Sequence, residues 1–229
     1  MVIHKLRTKS RELIQTAELS IRRMSIRSFA AFSQEYPSLN KFSESLDDVR
    51  ALHHEYVTTV STPEMAASFE LCRFLAMLHH ASPIGKSADL GSGFTSYALR
   101  KFGQQHNTNV WSVDDNPEWL QKTGLYLSSK GLATSNLNTL EQFIQSGERD
   151  FNLILLDLNF VEIRKDYIDF VLDICAAGGL VIFDDVHKPQ FRLEVLRKAS
   201  HHPVSLYDLK PLTEDRFKRF AMIAKKKQG

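Results

Sequence analysis

The stretch SADLGSGFTSYALRKF, Ser87 to Phe102, decides the fold. A short buried strand over residues 87–90 runs into Gly91 and Gly93 and then into a helix from Thr95 to about Gln105. Glycines at a strand end let the backbone approach a ligand closely, and the helix behind them offers N–H groups without intrahelical partners. A dinucleotide fingerprint asks for a third glycine at position 96, where this chain has Ser96. Asp89 also places negative charge where a pyrophosphate tolerates none and where an ammonium or sulfonium is welcome. Asp114 follows at the end of the next strand, about 20 residues on, where an acid accepts hydrogen bonds from both ribose hydroxyls. The ligand these features describe is a nucleoside with a cationic amino-acid tail and no phosphate, which S-adenosylmethionine fits.

Outward from this turn, the chain alternates strands and helices. Residues 110–114 read as a second strand. Asn116, Pro117 and Glu118 start a helix with a cap, a first-turn proline and an acid, and Gly131 stops it. Residues 133–138 read as a third strand, and FNLILLDL (151–158) as a fully buried fourth. A helix is expected over 162–176, a fifth strand over 179–184 and a helix over 190–200. Residues 204–209 and 217–224 read as two late strands forming an antiparallel pair. The pattern makes a doubly wound, mostly parallel sheet. Upstream, apolar residues recur at helical spacing from Leu6 to about Phe32 and from Leu46 to Tyr56. A third helix is expected to begin at Ser61 or Thr62, with Pro63 in its first turn. His53, His54, His79 and His80 read as surface or partly buried, and the aromatics Phe29, Phe32 and Tyr36 as core or as a cover for the substrate.

Four segments, DLGSGFTSYAL, VWSVDDNPEWL, FNLILLDL and GGLVIFDDVH, resemble in order and spacing the successive motifs of class I S-adenosylmethionine-dependent methyltransferases. The resemblance runs from about Ser61 to the C-terminus. It implies a Rossmann-like α/β sheet of seven strands with an antiparallel last strand. It also implies a methyltransferase domain over 61–229 behind an N-terminal helical extension over 1–60 that covers substrate or dimerises. Asp89 and Gly91 would hold the methionine end, Ser92, Gly93 and Thr95 would shape the loop, and Asp114 would hold the ribose. Asp115 or Asn116 would lie by the adenine, and Asp157 near the methyl-donating end.

Asp157, Asp184 and Asp185 fall at the ends of the fourth and fifth strands, where three carboxylates sharing one volume would repel one another. A divalent metal such as Mg²⁺ would resolve this, as in catechol-type small-molecule O-methyltransferases, to which the arrangement is similar. That family pattern is Asp-Asn at the fifth strand; here it is Asp184-Asp185. The other readings are that Asp184 caps a helix or pairs with an arginine such as Arg192. His187 follows directly and is a candidate general base, with Lys188 behind it. The expected function is methyl transfer to a hydroxyl of a small molecule. The alternatives are N-methyl or aminopropyl transfer on the same fold, or an inactive cofactor-binding partner subunit.

The formal net charge of +2 over 229 residues carries no polyanion-binding signal. Basic residues do cluster at the start (Lys5, Arg7, Lys9, Arg11, Arg22, Arg23, Arg27) and at the end (Lys225, Lys226, Lys227), and both clusters read as solvated surface, with a contact to membrane or nucleic acid as the alternative. Cys72 and Cys175, each within an apolar helical pattern, read as buried thiols in a reducing compartment. No apolar run is long enough to span a bilayer. The first residues lack an apolar signal core, and Glu12 and Glu18 argue against a transit peptide, so a cytoplasmic protein without nucleic-acid partners is expected.

Overall fold

The computed structural model describes residues 26–228. Its centre is one seven-stranded sheet in the order β3-β2-β1-β4-β5-β7-β6. The strands are β1 (Lys86–Leu90), β2 (Asn109–Asp114), β3 (Leu137–Thr139), β4 (Phe151–Leu156), β5 (Cys175–Phe183), β6 (Val204–Asp208) and β7 (Met222–Lys226). Strands β1 to β5 are parallel, and β7 inserts antiparallel between β5 and β6. The helices are α1 (Phe29–Glu35), α2 (Asp47–Thr59), α3 (Phe69–Ala81), α4 (Phe94–Gly103), α5 (Pro117–Ser129), α6 (Leu140–Ser146), α7 (Val161–Ile174), α8 (Pro189–Ala199) and the short α9 (Lys210–Thr213).

Two hydrophobic clusters lie on opposite faces of the sheet. One joins α1 to α5 to residues such as Leu153, Leu155 and Ile182, and the other joins α6, α7 and α8 to residues such as Ile154, Leu156 and Phe183. Alternate residues of β4 thus serve alternate faces, which is why its sequence is an unbroken apolar run. Each fully buried leucine there contributes about 1.5–3 kcal/mol of transfer free energy. Strand order reverses between β1 and β4, so the carboxyl ends of β1, β2 and β4 frame the crevice where such sheets bind ligands.

The structure departs from the sequence reading in four places, one of them the last strand, which runs over Met222–Lys226 rather than 217–224. The expected helix through Phe32 is helical only from Phe29 within the described residues; the part before Ile26 lies outside them. Arg27 is instead extended and bridges β6: its N–H donates to Leu206 O at 2.8 Å, and its carbonyl accepts from Asp208 N at 2.9 Å. Ser28 then caps α1. Residues 61–68 form a turn, and the helix waits until Phe69, where the Ser68 hydroxyl accepts from Leu71 N. The third strand is shorter and later than expected, and α6, which had no counterpart in the sequence reading, follows it at once. Among the described residues no helix is long and apolar enough to cross a membrane. Cys72 and Cys175 are both buried and unpaired, and burial pushes the Cys175 thiol up to about 12.

Candidate active site

A cavity of about 310 Å³ opens at the carboxyl ends of β1, β2 and β4. Its floor is the turn after β1. Gly91 N and Ser92 N both donate to Val113 O, at 2.9 and 3.1 Å, while Asp157 N donates to Leu90 O at 2.6 Å. The three strand ends are thereby clasped together. Gly91 has φ +112°, and a Cβ there would lie 2.1 Å from the Asp157 carbonyl oxygen, so no side chain fits. Gly93 faces the cavity under Tyr56, whose hydroxyl would lie 3.3 Å from a Cβ at that position.

Gly91, Ser92, Gly93, Thr95, Asp114, Asn116 and Asp157 line the cavity. Asp114 is bound at both carboxylate oxygens, by Ser92 Oγ at 2.9 Å and Asn116 N at 2.9 Å, which fixes its plane and leaves acceptor capacity on each oxygen. Burial raises its pKa. The indole of Trp119 also lines the cavity, held by its own N–H donating to Ser92 O at 2.6 Å.

Asp89 is different. It is fully buried and outside the cavity lining, and its carboxylate accepts from Thr95 Oγ at 2.8 Å and Ser96 Oγ at 2.6 Å. It shapes the turn from beneath, and burial pushes it up to about 7 against those hydroxyls. Asp115, Asp184, Asp185 and His187 also lie outside the lining residues.

Sequence reasoning missed the roof. Tyr56 and Ser61 line the cavity with buried hydroxyls that have no hydrogen-bond partner. Tyr56 is held by an aromatic cluster, with ring centroids 5.4 Å from Phe94 and 4.8 Å from Tyr126. Such pairs contribute about 0.5–1.5 kcal/mol each beyond area burial. The 61–68 turn that carries Ser61 is pinned from two sides. His53 Nε2 donates to Ala67 O at 2.8 Å, since a carbonyl only accepts. Arg219, anchored on Asp215 at 2.7 Å, donates to Glu64 O at 2.6 Å and Pro63 O at 3.1 Å.

At the other end of the cavity the strand-end aspartates do converge, and a guanidinium lies among them. Arg164 of α7 is 5% exposed and lines the cavity. Its Nη2 is 2.7 Å from Asp157 Oδ1, its Nη1 is 3.2 Å from Asp185 Oδ2, and its Nε donates to Leu158 O. Asp185, at φ +60°, also meets Lys188 Nζ at 3.0 Å and His187 Nδ1 at 3.5 Å. Burial pushes Asp157 above the usual carboxylate range and, with Asp185 as a neighbour, lifts Asp184 to about 6. Against its own burial, Arg164 and Lys188 hold Asp185 low. Burial lowers His187 from its ordinary value. Among the described residues no three His, Cys, Asp or Glu side chains are grouped to hold a metal ion, so the donor set expected at Asp157, Asp184 and Asp185 does not fit one. The pairing arginine is Arg164; Arg192 lies over the Phe220 ring at 6.0 Å instead.

No protein-family model matches the chain, and no curated protein shows significant sequence similarity to it. Solved structures do match. The architecture is the seven-stranded Rossmann-like fold of class I S-adenosylmethionine-dependent methyltransferases, O-methyltransferase-like in its neighbours. The O-methyltransferase TomG from Streptomyces achromogenes, involved in tomaymycin synthesis and solved with S-adenosylmethionine, is 14% identical, with a TM-score of 0.58 over 82% of this chain and 91% of that one. The Bacillus cereus O-methyltransferase in complex with S-adenosylhomocysteine is 14% identical, TM-score 0.58, over 80% and 91%. The S-adenosylhomocysteine-bound Podospora anserina methyltransferase PaMTH1 is 13% identical, TM-score 0.60, over 87% and 96%. At such identities the likeness is one of fold.

Proposed function

We propose that the chain is an S-adenosylmethionine-dependent methyltransferase acting on a hydroxyl of a small molecule. The observation that carries this reading is the chemistry of the cavity lining. Asp114 offers two fixed acceptors at the end of β2 beside a two-glycine turn, and two buried, unpartnered hydroxyls face the same space. Among the described lining residues the sole Lys or Arg is Arg164, already matched by Asp157 and Asp185, so little is left to bind a pyrophosphate.

When bound, S-adenosylmethionine supplies an electrophilic methyl group on a sulfonium. In this reading Asp114 holds the ribose hydroxyls, and Asn116 and Trp119 border the adenine. The Gly91–Thr95 turn, with Tyr56 and Ser61 above it, holds the amino-acid end. Asp89 keeps that turn in shape. Asp157 presents negative charge toward the sulfonium side. The roof from Tyr56 to Ala67 excludes water and orients the acceptor, which matters because methyl transfer depends on alignment more than on covalent help. The N-terminal extension over 1–60 then contributes its last turn to the site as a cover. His187 is proposed as the base that receives the acceptor proton, reached by a local movement since it stands outside the cavity lining.

The test is turnover of methyl-labelled S-adenosylmethionine against a panel of hydroxylated and aminated small molecules, with product identification by NMR. Label on oxygen supports the proposal. Label on nitrogen alone, aminopropyl transfer, or cofactor binding without turnover of any acceptor contradicts it.

A further inference from the structure

The carboxylates at the ends of β4 and β5 are arranged around a cation, and the cation is part of the chain. Arg164 stands in the first turn of α7, almost wholly buried, with its guanidinium between Asp157 from one strand end and Asp185 from the next. Of its five N–H bonds, three donate, to Leu158 O, Asn159 O and Asp185, and Asp157 is held as an ion pair at 2.7 Å from Nη2. One hydrogen on Nη1 has no acceptor among the described residues, and Arg164 borders the cavity. Lys188 adds a second fixed positive charge on Asp185. An arginine stays protonated at any working pH, so it does not vacate the place by titrating. A divalent ion needs several oxygens at about 2.0–2.6 Å around one point, and here the guanidinium holds the two nearest carboxylates apart.

We propose that Arg164 takes the place of a divalent metal ion, making this a metal-independent site with a built-in cation. The consequence concerns substrate class and rests on the methyl-transfer reading. An ion would chelate its acceptor through two adjacent oxygens. A guanidinium with an unused N–H on Nη1 selects an acceptor through a single oxygen, so a vicinal hydroxyl pair is not required. The spare Nη1–H then faces the acceptor oxygen and orients it without removing its proton.

The test uses Mn²⁺ alone, with no cofactor or acceptor, titrated into the protein and read by the electron paramagnetic resonance signal of the free ion. Wild type is expected to show weak binding that D185N leaves unchanged. In R164A Asp157 and Asp185 lose their shared counter-ion, and Mn²⁺ should bind at least ~10-fold more tightly, since oxygen donors set affinity for such ions. R164A/D185N should lose the gain. R164Q serves if R164A does not fold. If neither folds, wild type against D185N decides. Tight stoichiometric binding by wild type that D185N abolishes, or an arginine variant that folds and binds no better than wild type, overturns the proposal. S-adenosylhomocysteine affinity, measured on the same wild-type sample, reports separately on the methyl-transfer reading.

Discussion

Asp114→Asn isolates the ribose contact from the fold. In the protein each carboxylate oxygen of Asp114 meets one donor, Ser92 Oγ or Asn116 N, both at 2.9 Å. The amide keeps an oxygen for Asn116 N. Its NH₂ faces Ser92 Oγ, a hydroxyl that turns to accept while donating to Thr123 Oγ1, 3.1 Å away. The buried network therefore closes again, and the fold should survive. What is lost is the charge and one acceptor offered to the ribose. A hydrogen bond to a charged group is worth about 1.5–3 kcal/mol, which is roughly 10- to 150-fold in Kd. Calorimetric titration with S-adenosylhomocysteine measures it, beside a thermal melt that checks the fold. Asp114→Ala should cost similar affinity and lower the melting temperature too, because it removes the acceptor shared by Ser92 Oγ and Asn116 N. A folded Asp114→Asn protein that binds S-adenosylhomocysteine within twofold of wild type refutes the ribose assignment.

Other perturbations read other parts of the account. Gly91→Ala drives a methyl group into the Asp157 carbonyl; overpacking of about 1–3 kcal/mol or more should lower the melting temperature by several degrees and weaken S-adenosylhomocysteine binding, and an unshifted melt would contradict the geometry. His187→Ala should lower kcat about 100-fold if this histidine receives the acceptor proton, whereas full activity across pH would assign the base elsewhere. His79 is 2% exposed with both ring nitrogens unpartnered, and burial lowers its pKa from 6.5 to about 4. A histidine depressed in the folded state holds its stability above 6.5, and that stability is lost as pH falls toward 4. The loss reaches up to about 3 kcal/mol. Chemical denaturation of His79→Leu between pH 7 and pH 4 should show a correspondingly smaller loss than wild type, and parallel curves would refute the assignment.

Where chemistry is local, the sequence was legible. The strand–glycine–helix at Ser87, the cap at Asn116 and the two-faced β4 each carry their cause within a few residues, and together they specify the sheet. Tertiary contacts overrode local signals elsewhere. Ser61, Thr62, Pro63 and Glu64 look like a helix start, yet Arg219 and His53 hold that segment as a turn, and Ser68 provides the cap that is used. Helix α6 carries a readable signature, since Thr139 and Gln142 form a reciprocal capping box. His79 and His80 both read as surface or partly buried, and only packing reveals that His79 is inside. The candidate site divides in the same way. The turn and Asp114 sit in sequence motifs, whereas Tyr56, Ser61 and Arg164 reach the cavity from segments that no motif marks. Arg164 was the hardest to see, because the question it answers, how three carboxylates coexist, admitted a metal, Arg192 or any other arginine until the chain was folded.

In the proposed reading the glycine turn holds a cationic, phosphate-free nucleoside. Isothermal titration calorimetry of the wild-type protein with S-adenosylhomocysteine, and separately with NAD⁺, tests it most directly. Saturable binding of S-adenosylhomocysteine and no detectable heat with NAD⁺ are expected. Tight binding of NAD⁺ with none of S-adenosylhomocysteine would contradict it.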